Sequence, residues 1–197
     1  MQEYSHETFE KGDLSEQIFE YVRYDHCVFR NITMQETEMA HCEFIACEFI
    51  SCRWNGAAFL HCSFTNCRIR FVNLFCTAFR QCKMMGTSFE EIPSQAGMVI
   101  EGGNWSYSSL RMFSFVKSVM TDINFEGADL VECDFKNAVL RGCNFKNALL
   151  SNADFAQADI RECNLDGVDV LGMKWKKTKI DLIQAATIAR ALGAEVV

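Results

Sequence analysis

Large apolar residues recur every five positions along most of this chain. In Ala128–Leu165 they stand at Leu130, Phe135, Leu140, Phe145, Leu150, Phe155, Ile160 and Leu165. A small residue sits two places before each one: Ala128, Cys133, Ala138, Cys143, Ala148, Ala153, Ala158 and Cys163. A period of five fits neither an amphipathic helix nor a plain strand, so it predicts a repeat architecture. Counting back in fives from Phe89 keeps the pattern through Met84, Phe79, Leu74, Ile69, Phe64, Phe59, Trp54, Phe49, Phe44 and Met39 and on to Phe9. A second series, Ile100, Trp105, Leu110, Phe115, Met120 and Phe125, joins Leu130. The two series are out of step by one residue. One residue is therefore inserted within Glu90–Val99, the stretch that holds the single proline, Pro93. A bulge or short loop is predicted there, with Glu90, Glu91, Ile92, Pro93, Ser94 and Gln95 as candidate contact residues.

After Trp175 the period ends and the pattern becomes helical. Asp181 followed by Gln184 reads as a capping box, and Gly193 as the stop after Leu192. The helix is apolar over a wide arc, more than one core end can cover. Leu182, Ile183, Ala186, Ile188, Ala189 and Leu192 are expected to cap the repeats and to join two copies in a closed homodimer. The tail AEVV is read as a short strand. This divides the chain into a repeat domain, 1–180, interrupted at 90–99, and a capping and dimerisation segment, 181–197.

The phrase ADLVE CDFKN AVLRG CNFKN ALLSN ADFAQ ADIRE CNL resembles the A(D/N)Lxx motif of the pentapeptide-repeat proteins. That resemblance implies an all-β solenoid, a right-handed quadrilateral β-helix of about eight coils here, closed by the short C-terminal helix. It also implies that the large central residue and the small one two before it point inward, and the other three outward. A tight square coil has room for one bulky side chain per side, and the neighbouring inward position must then be small. Residues twenty apart would stack at ~4.8 Å. Phe113 and Ile123 stand where small residues are expected, which predicts a widened or distorted coil.

Of the eleven cysteines, ten fall at the small inward position and only Cys76 does not. Their spacing of five is not that of a zinc knuckle, so they are read as small buried hydrophobes in a reducing compartment. His41 and His61 are twenty apart, but each precedes an inward cysteine and should itself point out, so one ion could not take both residue types. No metal site is predicted. No apolar run approaches a membrane span, and the polar start MQEYSHETFEK lacks the features of a signal peptide. A cytoplasmic protein without membrane contact is expected. Its net charge of −7 argues against direct nucleic-acid binding by phosphate neutralisation.

The D-x-x-Q-A helix ending in Leu192-Gly193, the interruption, the overall length and the phrase NWSYSSL at Asn104–Leu110 together resemble the quinolone-resistance (Qnr) branch of that family. The resemblance implies a DNA-mimicking dimer that binds DNA gyrase or topoisomerase IV and protects it from quinolones. Eight coils would span ~40 Å, so the net charge of −7 amounts to one charge per ~6 Å. Duplex DNA carries one per ~1.7 Å. Mimicry therefore requires acids segregated on one side. The candidates are Asp129, Glu132, Asp134, Asp154, Asp159, Glu162 and Asp169, with Glu36, Glu38, Glu43 and Glu48. Each is also explained as a corner residue bonding its own turn or as part of a solvated face. No Ser–His–Asp set, phosphate loop or glycine-rich cofactor motif occurs, so neither catalysis nor a cofactor is expected. The rival expectation is a structural or interaction scaffold with no topoisomerase partner.

Overall fold

The computed structural model describes residues 2–197. It is a parallel β-solenoid with one C-terminal helix, and it divides into two compact units, Met1–Asn104 and Trp105–Val197.

The first unit has four faces. Face 1 is a sheet of Gln2–Ser5, Val22–Asp25, Glu43–Ile45 and Ser63–Thr65. Face 2 stacks Thr8–Glu10, Val28–Arg30, Glu48–Ile50, Arg68–Arg70 and Ser88–Glu90. Face 3 is a ladder of single bridges, Asp13 to Thr33, Arg53, Asn73 and Ser94. Face 4 stacks Ile18–Glu20, Glu38–Ala40, Ala58–Leu60, Ala78–Arg80 and Val99–Glu101. Partners lie twenty apart, as in Tyr24↔Phe44 and Phe44↔Phe64, until the insertion. Arg70 still pairs with Glu90, whereas Asn73 pairs with Ser94, so the extra residue lies between Glu90 and Ser94, at the corner carrying Pro93.

The inward assignment holds in both units. Phe44, Phe64, Phe125 and Phe145 are fully buried, as are the small residues Ala57, Ala128 and Ala153. Equivalent rings stack from coil to coil, Phe44 on Phe64 at 4.6 Å and Phe125 on Phe145 at 5.4 Å between centroids. Ten cysteines are buried and free, and Cys76 is exposed. Each buried thiol has a carbonyl to donate to, as Cys47 Sγ does to Tyr24 O at 3.4 Å. Burial pushes Cys52 up to about 11 and Cys82 up to about 12, so both stay protonated. Phe113 and Ile123 are also buried, and the bridges Ser114↔Asp134 and Asn124↔Asn144 show that the ladder runs on past them.

The second unit also has four faces, but its ladders are isolated bridges, such as Ser114 to Asp134, Asp154 and Lys174. Its corners close as β-turns: Ala128 N–H donates to Phe125 O at 3.0 Å and Ala138 N–H to Phe135 O at 3.0 Å. The third residue of these turns has left-handed φ, 64° at Gly127 and 58° at Asn137, the signature of a type II turn.

Leu182–Ala191 is the single α-helix among the described residues, with Asp181 as N-cap and the full capping box to Gln184. The side chain of Gln184 is buried and donates to Ile160 O at 2.5 Å and Cys163 O at 2.9 Å. It thereby satisfies carbonyls that the next coil would otherwise have paired. The tail Ala194–Val197 is not a strand, contrary to expectation. Its Ala194 N–H turns back to Ala189 O, a helix-terminating contact, so the segment leaves the helix without reaching a ladder.

Candidate protein interface

The outward acids fall into two groups, those bound into their own scaffold and those left free. In the second unit the aspartates before the central residue fold the corner. Asp129, Asp134, Asp154 and Asp169 accept the backbone N–H two residues on, at 3.0–3.2 Å, and Asp159 does so at 3.4 Å. Most are also paired with a base. Arg111 reaches Asp129 at 3.0 Å, and Lys136 bridges Asp134 and Asp154 at 3.0 and 3.3 Å. Asp159 is 5% exposed and lies between Arg161 and Arg141 at 2.7 and 2.8 Å. Hydrogen bonds from those two guanidiniums, Arg161 first, outweigh burial and hold its carboxyl far below the ordinary range. Asp169 caps the short 3-10 helix Val170–Gly172. Glu132 and Glu162 sit exposed at left-handed corner positions, and the Glu162 N–H donates to Asp181.

In the first unit Glu43 belongs to a chain in which Arg23 lies between Glu3 and Glu43, at 3.3 and 3.6 Å. Glu48 meets Arg68 at 3.7 Å, and Glu90 meets Arg68 and Arg70 at 3.7 and 3.1 Å. Faces 1 and 2 thus pair acids with bases across their strands, and Glu10 is the one acid of face 2 that makes no ion pair among the described residues. Glu36 and Glu38 are exposed and make no ion pair among the described residues. Glu16 and Glu20, missed in the sequence, lie beside them and are equally unpaired. Glu16 precedes Glu36 by one coil at the corner before face 4, and Glu20 faces Ala40 across the sheet. The stacking rule that located the core, applied to outward positions twenty apart, would have found the pairing of Glu16 with Glu36. At the far edge of face 4 the rings of Tyr21, His41 and His61 stack outward, at 5.0 and 5.2 Å.

Of the interrupted stretch, Glu91, Pro93, Ala96 and Gly97 are exposed, while Ile92, Ser94 and Gln95 are half-buried. On the helix Leu182, Ile183 and Leu192 are 89%, 80% and 67% exposed, and Ala186, Ile188 and Ala189 are half-buried. Among the described residues no group of three or more His, Cys, Asp or Glu is placed to hold a metal ion, and no helix is long and apolar enough to cross a membrane.

Residues 118–155 and 140–170 match the family model for pentapeptide repeats. No curated protein sequence matches the chain. Among solved structures, two trypsin-treated forms of QnrB1, described as a plasmid-mediated fluoroquinolone resistance protein, match with TM-scores of 0.83 and 0.82 at 21% and 20% identity, over 100% of this chain and 98% of theirs. Full-length QnrB1 matches with a TM-score of 0.58 at 19% identity, over 95% of this chain and 100% of that one. Residues 118–170 thus carry pentapeptide repeats, and the whole chain shares the fold of the QnrB1 structures.

Proposed function

We propose that the protein binds a bacterial type II topoisomerase, DNA gyrase or topoisomerase IV, and protects it from quinolones or other poisons that trap it on DNA. The observation that carries this reading is the end-to-end likeness in fold to QnrB1. Two features of the chain's own surface support it. Glu16, Glu20, Glu36 and Glu38 make no ion pair among the described residues, so their field is available to a cationic, DNA-binding partner. Leu182 and Ile183, adjacent at the start of the helix, expose an apolar surface suited to a second copy, which gives a closed homodimer. The cell compartment is the cytoplasm, where the target enzyme works and free thiols persist.

The rival, an interaction scaffold with no topoisomerase partner, draws on the second unit, where Asp129, Asp134, Asp154 and Asp159 are consumed by turns and basic partners. A gyrase supercoiling assay under ciprofloxacin, across a titration of the protein, separates the two. Restored supercoiling supports protection. No rescue at any concentration, with no capture of either purified topoisomerase, leaves the scaffold.

A further inference from the structure

We infer that face 4 of the first unit is a docking surface for an extended, cationic peptide segment that carries an apolar anchor. The face differs from its neighbours in what its outward rows present. One row runs Ile18, Glu38, Ala58, Ala78, Val99 and the other Glu20, Ala40, Leu60, Arg80, Glu101. Small side chains at Ala40 and Ala58 sit between large ones, leaving a depression of about 290 Å³ bordered by Ile18, Leu60, Glu20, Glu38 and Arg80. Ile18 is 70% exposed and Leu60 42%, so the walls are apolar and open to solvent.

Charge decides the occupant. Faces 1 and 2 pair most of their acids internally, through Glu3–Arg23–Glu43 and Glu48–Arg68–Glu90, with Glu10 left outside these chains. On face 4 the one basic side chain, Arg80, is committed to Glu101 at 3.0 Å. Glu20 and Glu38, with Glu16 and Glu36 at the adjoining corner, have no counter-charge. An apolar pit beside unpaired carboxylates fits a leucine-sized side chain flanked by lysine or arginine, and it disfavours an acidic segment. In an extended segment the side chains of one face recur every second residue, ~6.8 Å apart, so lysine and leucine two residues apart reach the carboxylates and the pit together. This deepens the topoisomerase reading by naming the face and the chemistry of the segment, but its test uses no topoisomerase.

The probe is a short synthetic peptide with lysine, leucine and lysine at every second position and serine between them, so that all three share one face when extended, titrated into the full chain and followed by methyl chemical shifts. Saturable shifts are expected at Ile18, Ala40, Ala58 and Leu60, with affinity falling as salt is raised. Leu60→Arg, and separately Glu20→Lys with Glu38→Lys, should weaken binding at least tenfold. Thr65→Arg, on face 1, should leave it unchanged. All these side chains point outward, and the spectrum of each variant reports folding. Unmoved methyls on face 4, equal shifts at Val28 and Ile50 on face 2, or equal binding of a glutamate–leucine peptide would overturn the proposal. Peptide binding without gyrase binding defeats only the topoisomerase reading, and gyrase protection without peptide binding defeats only this one.

Discussion

After Phe44 in the first unit, Ile45 is still extended and paired. After Phe135 in the second, Lys136 is already inside a turn. The residue before the central one accounts for the difference. Asp134 accepts the Lys136 N–H at 3.0 Å, and Asn144 accepts that of Lys146 at 3.1 Å, folding the chain immediately. Glu43 has a longer side chain and makes no such bond, so the next residue continues the strand.

The rule acts on columns. Faces 2 and 4 of the first unit have no Asp or Asn before any central residue, and both are sheets of strands. Face 3 has Asp13 and Asn73, which accept from Ser15 and Phe75, and every level of it turns, Thr33 and Arg53 included. In the second unit Val139 and Leu149 turn without an acceptor of their own, in register with Asp159 and Asp129. Stacked corners share backbone hydrogen bonds, so one coil imposes its shape on the next.

The largest expected effect tests what the two units share. Phe64→Ala and Phe145→Ala should each cost ~3–5 kcal/mol, because stacked coils cannot collapse into the gap. Thr65→Ala, outward, should cost little in the same denaturant titration. A loss in only one unit would show that their cores are not equivalent.

Next comes the clamp found in the second unit alone. Asp159→Ala should lose ~1.5–3 kcal/mol, the range for hydrogen bonds to charged groups. Because its folded carboxyl lies below the unfolded value, its contribution is complete above about pH 4 and is lost as the pH falls further. The variant should therefore show a shallower acid limb than the parent.

The corner rule predicts that Asn144→Ala costs ~0.5–1.5 kcal/mol, whereas Glu48→Ala, on a strand face, changes stability by under ~0.5 kcal/mol. Equal costs in urea unfolding would break the comparison. On the helix, Ile183→Glu should give a soluble monomer by light scattering where the parent forms the proposed dimer, and a parent already monomeric at micromolar concentration would rule that interface out. The smallest perturbation is chemical labelling. In the native protein a thiol reagent should modify Cys76 and leave the ten buried thiols, with all eleven reacting after denaturation. Fast labelling of several in the first unit would mean that its coils open more readily than those of the second.

Much of this was legible in the residues. The period of five placed Phe44, Phe145 and the inward cysteines, and the one-residue offset located the insertion, because core filling is a local rule repeated at every side. The capping box at Asp181 and Gln184 was equally local. The free acids were legible only in part: Glu36 and Glu38 stood out, but so did Glu43 and Glu48, and nothing along the chain says that Arg23 and Arg68 neutralise them.

What the sequence determined by itself, then, is what each pentapeptide does alone: which residue fills the core, which small one lets the corner close, and which Asp or Asn folds its own turn. The tertiary structure decided what depends on the coil above or below. Ala46 and Phe71 take left-handed φ, 49° and 55°, a conformation neither favours, so that their N–H groups can reach Thr65 O and Glu90 O in the next coil. Glu20 remains free while Glu43 does not, because Arg23 stands opposite Glu43 one coil away, whereas the residue opposite Glu20 is Ala40.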